Sequence, residues 1–159
     1  MFNILEWNWC KIRAPAISSY QGIDGDFILL CGSFYGEQEC YQFNGTSTPV
    51  RIADTIVSHK LGVLSSVDGI PFIIAGFRTF ETEILVESQW EKMPTFPFRD
   101  FGDVIKYIYH TSAVSINNEV LIFGGSCGGV CAHNKVFKFN RNKLWSQHQQ
   151  FAWKWRFSI

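Results

Sequence analysis

Residues 117–125 read NNEVLIFGG, and this stretch decides the fold. A two-residue turn signal is followed by an apolar run that ends at a glycine. The same arrangement occurs in residues 68–76, DGIPFIIAG, and in residues 24–32, DGDFILLCG. In all three stretches the last glycine comes eight residues after the first turn residue. Asp-Gly and Asn-Asn suit hairpin turns that need positive φ, so the sequence predicts the same β-hairpin three times.

The spacing of these hairpins indicates a repeat protein, because they begin roughly 45 residues apart, a period typical of repeat architectures. Each unit reads as four strands, of which the second is the apolar run. Such a continuous run is expected of a strand that is covered on both faces. Helical periodicity is absent from the sequence. We therefore predict an all-β fold of three four-stranded antiparallel units.

Several motifs of the chain resemble those of the kelch repeat family, over about residues 7–146. The glycine doublet of that family is intact only in the third unit, since the first two units have Cys31-Gly32 and Ala75-Gly76. The residues that carry the resemblance are Gly124-Gly125, the aromatic strand at 136–139, the trailing Trp145, and the junction Trp90-Glu91-Lys92-Met93-Pro94.

The resemblance implies a partial kelch-type β-propeller, in which each unit is one blade. The glycines would allow close backbone approach, and the tryptophans would fill the wedge between neighbouring blades. The implied organisation is a leading strand and linker at 1–15, three kelch-like units at 16–50, 51–98 and 99–148, and an aromatic amphipathic terminal strand at 149–159.

Three blades are too few for a ring, because closed propellers typically have four to eight. Three explanations stay open: a truncated gene product or fragment, a ring completed by a second chain such as another copy, or an open arc with improvised caps. Residues 151–159 alternate strictly between apolar and polar side chains. We expect this segment to form a strand, and we hypothesise that it covers an exposed blade face.

Composition excludes several classes of partner. The 14 basic and 14 acidic residues cancel, so no broad attraction to nucleic acid or to an anionic membrane is expected. No apolar run approaches the length of a transmembrane helix. The first residues show no signal-peptide pattern, and five cysteines, an odd number, suit reduced thiols. We therefore expect a cytoplasmic protein and discount the glycosylation sequon at 44–46.

The sequence offers little catalytic chemistry. Cys127, Cys131 and His133 are zinc-ligand types in one loop, but no second cluster lies nearby. Some kelch-like propellers are copper oxidases that resemble galactose oxidase, and we find no matching set of ligands here. His59 and His110 precede the first strands of their units, which favours structural roles at blade boundaries. We predict no enzyme activity, no metal and no cofactor.

Recognition of a protein partner is the better-supported function. The loops that follow Gly32, Gly76 and Gly125 are expected to share one face of the scaffold, where function concentrates. Aromatic residues and arginine are enriched at interface hot spots. We predict a non-catalytic interaction module, a scaffold or adaptor. The alternatives are a degenerate enzyme-type propeller fragment that binds sugar or metal, and a truncated product without independent function. The candidate partner-binding residues are Phe34, Tyr35, Phe77, Arg78, Phe80 and His133.

Overall fold

The computed structural model describes residues 16–22, 25–32, 37–46, 48–97, 108, 111–126, 135–140, 142 and 144–150. These residues form twelve β-strands and no helix, which confirms the predicted all-β fold. Among them there is accordingly no helix long and apolar enough to cross a membrane. The leading strand predicted within residues 1–15 lies outside the described residues, as do residues 151–159 of the terminal strand predicted at 149–159.

The strands form three four-stranded antiparallel sheets, each a meander in chain order. The first sheet holds β1 (Ala16–Gly22), β2 (Gly25–Cys31), β3 (Cys40–Phe43) and β4 (Val50–Arg51). The second holds β5 (Val63–Val67), β6 (Ile70–Gly76), β7 (Thr79–Val86) and β8 (Gln89–Met93). The third holds β9 (Ser112–Ile116), β10 (Glu119–Phe123), β11 (Lys135–Asn140) and β12 (Leu144–Gln150).

The predicted hairpin turns have the backbone that their residues favour. Asp68 and Gly69 lie at φ 53° and 74°, and Asn117 and Asn118 lie at 49° and 60°. Positive φ at both central residues matches the right-handed twist of the flanking strands. The register follows directly, with Val67 opposite Ile70 across the Asp68-Gly69 turn. Asp24 of the first hairpin lies outside the described residues.

The second sheet lies between the other two. Alternation along β6 sends Phe72 and Ile74 to one face and Ile73 to the other. Phe72 stacks on Phe139 of the third sheet with ring centroids 5.2 Å apart, inside one core cluster. Ile73 belongs to a second cluster with Leu29 of the first sheet. The first strands of the three sheets are also neighbours, since β5 contacts both β1 and β9. The apolar run of β6 is therefore covered on both faces, as predicted.

The two tryptophans close the gaps between sheets. Trp90 is buried in the cluster between the first and second sheets, and its Nε1–H donates to the Ala53 carbonyl at 3.0 Å. Trp145 packs edge-on against Phe96, and its Nε1–H donates to the Pro94 carbonyl at 2.8 Å. Trp90 is buried and Trp145 is half-buried, and each indole donor has an acceptor, as the polar end of a tryptophan requires when its ring packs inside a protein.

The apolar run of the third sheet differs from the prediction. Val120 and Ile122 face the second sheet and are fully buried. Phe123 points the other way and is 37% exposed. The expectation that this run is covered on both faces is therefore wrong for β10, since among the described residues no fourth sheet lies beyond it.

Candidate functional site

Three glycines surround a crossing of backbones where the first and second sheets meet. A Cβ atom on Gly32 would lie 2.7 Å from the His59 carbonyl oxygen, and one on Gly76 would lie 2.8 Å from that of Lys60. A Cβ atom on Gly62 would lie 2.6 Å from the Ala75 carbonyl oxygen. These neighbours are main-chain atoms that have no rotamer to change. The predicted role of Gly32 and Gly76 in close backbone approach is thus confirmed.

The segment that crosses here is residues 52–62, which connect β4 to β5. It runs beside residues 37–40, which lead into β3 of the first sheet, and forms main-chain hydrogen bonds with them. The Thr55 amide donates to the Gln38 carbonyl at 2.9 Å, and the His59 amide donates to the Glu37 carbonyl at 3.1 Å. The Gln38 amide group donates in turn to the Thr55 carbonyl, also at 2.9 Å. The connection is therefore fixed to the first sheet along most of its length.

A buried pair, His59 and Glu83, fixes the same connection to the second sheet. Both side chains are fully inaccessible to solvent. His59 Nδ1 lies 2.7 Å from the Ala75 carbonyl oxygen, and His59 Nε2 lies 3.1 Å from Glu83 Oε1. A carbonyl oxygen only accepts, and so does an ionised carboxylate. Both ring nitrogens of His59 therefore lie at hydrogen-bond distance from an acceptor oxygen inside the protein.

Glu83 also receives two main-chain donors. The Ile56 amide donates to Oε2 at 2.7 Å, and the Val57 amide donates to Oε1 at 2.8 Å. Burial by itself raises the pKa of the Glu83 carboxyl, but the hydrogen bonds from His59, Ile56 and Val57 outweigh it. The pKa of Glu83 is consequently lowered from its ordinary value of 4.5. The pair holds the connection against the second sheet, which is a structural role of the kind predicted for His59. We call this pair the His59–Glu83 pin. His110 lies outside the described residues.

Directly beside this pin lies a surface group that we call the Phe77 cluster, made of Glu37, Lys60, Phe77 and Arg78. The Phe77 amide donates to the Lys60 carbonyl at 2.7 Å, which ties the turn after β6 to the connection. The Arg78 Cζ lies 5.1 Å from the Phe77 ring centroid, and Lys60 Nζ lies 5.7 Å from it. Lys60 Nζ is also 3.6 Å from Glu37 Oε1.

The turn itself has an unusual backbone. Arg78 lies at φ 70°, a conformation that non-glycine residues adopt at a cost. Its side chain is exposed, whereas the ring of Phe77 is half-buried. The cluster therefore presents one exposed guanidinium next to a half-buried aromatic ring. The backbone of this turn is hydrogen-bonded to the Lys60 carbonyl.

The connection after Gly76 is shorter than predicted. The sequence after Gly76 predicts a loop over residues 77–83, but β7 begins at Thr79, which pairs with Gly76, so the turn is only Phe77 and Arg78. Phe80 therefore lies in a strand and packs against the core cluster between the second and third sheets. The alternation of Phe80, Thr82 and Ile84 with Glu81 and Glu83 is the signal that could have shown this strand.

The structure does not describe the other predicted site residues. Phe34, Tyr35 and His133 lie outside the described residues, as do Cys127 and Cys131. Among the residues that the structure does describe, no group of three or more His, Cys, Asp or Glu side chains could hold a metal ion.

Cys31 and Cys40 form a disulfide bond. They stand opposite each other in β2 and β3, with Cα atoms 4.3 Å apart. This short separation is that of a non-hydrogen-bonded pair in an antiparallel ladder. Both residues are buried against the second sheet. The expectation that these two thiols stay free is therefore wrong for this pair.

Comparisons with known proteins bear on the fold of this chain and on no other property. No protein-family model matches the chain. No curated protein matches it either. Among the solved chains with a similar fold is the one described as "Structure of YjhT", which superposes with a TM-score of 0.67 at 11% sequence identity. The match covers 90% of this chain and 54% of that one, so the chain spans about half the length of the structure it resembles.

Proposed function

We propose that the three sheets are blades of a partial kelch-type β-propeller. Three features support this proposal. The strands of each sheet follow one another in chain order, the sheets stack face to face, and their first strands β1, β5 and β9 lie side by side. Glycines and tryptophans stand at the sheet boundaries, where the kelch resemblance expects them. An antiparallel sheet whose first strand lines the centre is the unit of a propeller.

On this scaffold we infer a non-catalytic protein-interaction module whose contact point is the Phe77 cluster. The observation that carries the proposal is the exposed Arg78, held at φ 70° beside Phe77 on a turn whose backbone is tied to Lys60. Arginine and aromatic side chains on rigid backbone are the usual anchors of binding interfaces. Preorganisation lowers the entropy that binding costs. The buried His59–Glu83 pin below the cluster supplies that rigidity.

The chemistry of the Phe77 cluster indicates which class of partner it binds. The Arg78 guanidinium can bind a carboxylate through two parallel hydrogen bonds. The ring of Phe77 offers a small apolar contact beside it, flanked by Lys60. The matching partner is a protein segment that presents an aspartate or glutamate next to an apolar side chain. No part of this arrangement needs a cofactor.

Charge reversal tests the proposal. Partners are captured from cells with the full chain, with Arg78→Glu and with the matched control Lys92→Glu, and are measured by quantitative mass spectrometry. Lys92 is an exposed cation of β8. We expect a set of proteins that Arg78→Glu depletes about tenfold or more and Lys92→Glu retains, because a hot-spot side chain contributes roughly 2 kcal/mol or more. Equal retention by both variants would remove the cluster from the interface.

Two other expectations, an enzyme-type fragment that binds metal and a cytoplasmic location, are separate from the proposed interaction. A degenerate enzyme-type fragment that binds metal would carry stoichiometric copper or zinc after purification, and elemental analysis would show it. The expected cytoplasmic location depended in part on reduced thiols. Since Cys31 and Cys40 are joined, that support is lost, and the proposed function does not depend on the location.

A further inference from the structure

The hairpin of β3 and β4 combines two features that point to the same cellular compartment. β3 begins at Cys40, which is joined to Cys31, and the residue after its end is Asn44, the first of the sequon Asn44-Gly45-Thr46. Disulfides form and persist in oxidising environments such as the lumen of the endoplasmic reticulum. N-linked glycosylation of Asn-X-Ser/Thr marks surface loops of secreted proteins. The disulfide and the sequon are independent of each other.

The sequon has the exposure and the local geometry that modification requires. Asn44, Gly45 and Thr46 are all exposed. The Thr46 amide and the Thr46 hydroxyl each donate to Asn44 Oδ1 at 3.1 Å, so the hydroxyl is beside the amide group. Gly45 lies at φ 85°, and no atom lies within 4 Å of the position that its Cβ would take. The middle residue is not proline.

We propose that Asn44 is the acceptor of an N-linked oligosaccharide, attached in the oxidising compartment where the Cys31–Cys40 bond forms. The donor is an oligosaccharide linked to a polyprenyl diphosphate. Asn44 Nδ2 forms a bond to the anomeric carbon of the sugar, and the bond from that carbon to the diphosphate oxygen breaks. The polyprenyl diphosphate leaves, and one amide proton passes to solvent. No electrons are transferred, so the step needs no oxidant.

The position of the sugar has a structural consequence. β4 is the edge strand of the first sheet and is only two residues long. Its Val50 is 61% exposed and lies six residues after Asn44. Exposed edges can pair with other chains, and short or covered edges prevent this. A glycan on the same hairpin covers the edge that Val50 leaves open.

The first test uses the protein from the organism that makes it, digested without reduction. We expect the peptide that contains Asn44 to carry hexosamine-containing mass, and peptide N-glycosidase to convert Asn44 to aspartate. The peptides with Cys31 and Cys40 should remain joined until a reductant is added. An Asn44 peptide that is unmodified in all copies would overturn the proposal.

Variants of the full chain, directed into the secretory pathway of eukaryotic cells, test the site itself. Asn44→Gln and Thr46→Ala are each expected to remove the glycan mass, and Thr46→Ser is expected to keep it. The matched control is Thr48→Ala, which changes an exposed threonine of the same loop outside the sequon and should keep the glycan. Glycan mass that persists in Asn44→Gln would assign the sugar to another residue and contradict the proposal.

Discussion

The turn between β7 and β8 holds two residues in a conformation that their side chains disfavour. Glu87 and Ser88 lie at φ 47° and 66°. A left-handed conformation costs a non-glycine residue roughly 1–2 kcal/mol. We expect Ser88→Gly to raise the free energy of unfolding by about 1 kcal/mol, because Ser88 is exposed and its replacement removes only this strain. Urea denaturation of the purified chain measures the change.

The matched control for that substitution is Ser112→Gly. Ser112 is also an exposed serine, but it lies in β9 and has no positive φ. Glycine in a strand is unfavourable, so this variant should lose roughly 0.5–1 kcal/mol. If both variants moved stability in the same direction, the strain assigned to Ser88 would be absent.

The buried Glu83 makes stability depend on pH in the acid range. Its pKa is lower in the folded chain than the ordinary value of 4.5. A depressed folded pKa contributes stability that is complete above the unfolded value and is lost as pH falls through the folded value. We expect Glu83→Gln to destabilise the protein by about 3 kcal/mol or more near neutral pH, because it leaves His59 without its anionic partner.

The same variant separates this effect from the other carboxylates. The difference in stability between the natural chain and Glu83→Gln should shrink as pH falls below the ordinary value of 4.5 and through the lower pKa of the folded chain, because Glu83 is then protonated in both states. Glu87→Gln, at an exposed turn position, serves as control and should change stability little at any pH. A difference that stays constant across this range would refute the buried carboxylate.

The backbone conformation and contacts of some of these residues could be predicted from the sequence, and those of others could not. The turns at Asp68-Gly69 and Asn117-Asn118 could be predicted, because the turn preference of these residues depends on local sequence. Glu87-Ser88 carries no such chemistry, and its backbone is imposed by the strands on either side. Glu83 accepts hydrogen bonds from the amides of Ile56 and Val57, which lie 27 and 26 positions earlier in the chain. No local pattern contains such a contact.

At the level of elements, the β2–β3 hairpin is closed by the Cys31–Cys40 bond. The two residues are nine positions apart in the sequence. Closing a loop of this size is expected to stabilise a protein by about 3 kcal/mol in the chain-entropy description. We expect the double variant Cys31→Ala, Cys40→Ala to lose roughly that amount, measured by thermal or urea unfolding. A reductant should produce a similar loss in the natural chain.

The control is built into the double variant. Adding the reductant to it should change nothing further, because the variant has no Cys31–Cys40 bond to break. A natural chain whose stability is the same with and without reductant would show that the bond is not formed in solution.

Strand bounds were predictable where the pattern is strong. β6 and β10 were identified by their apolar runs, and their hairpin turns fixed the register. β7 was partly missed, because the glutamates at 81 and 83 read as loop residues. One of them, Glu83, is polar because it pairs with His59 inside the protein and not because it meets solvent. A buried polar pair is the case in which hydrophobic patterning fails.

For the whole molecule, the stack leaves apolar side chains on its outer faces. Val114, Ile116 and Phe123 of the third sheet are 41%, 48% and 37% exposed on the face away from the second sheet, and Ile28 of the first sheet is 40% exposed. Exposed apolar faces at the ends of a repeat array favour association. We expect light scattering to give an average molar mass above the 18.3 kDa of one chain, rising with concentration.

Substitution locates the contact. Ile116→Lys should lower the average molar mass, because it places a charge in the exposed face. Ile56→Lys, at an isolated exposed position on the connection between the first two sheets, should leave it unchanged. Equal masses for all three proteins would exclude this face as the site of self-association.

The order of the three sheets could be predicted from the sequence only in part. The repeat predicted three like units, and the resemblance predicted that they stack side by side. The sequence did not distinguish the covered run of β6 from the half-covered run of β10, since both consist of apolar residues. Burial of the second face depends on which sheet comes next, and that is a property of the whole array.

The rigidity proposed for the Phe77 cluster depends on the middle position of the second sheet, because the His59–Glu83 pair below the cluster is held by a sheet that is covered on both faces. Amide hydrogen exchange of the full chain, followed by mass spectrometry, tests this directly. We expect β6 to exchange most slowly, and β4 and β9, at the edges of the outer sheets, to exchange much faster. Exchange in β6 as fast as in β4 and β9 would contradict the stack.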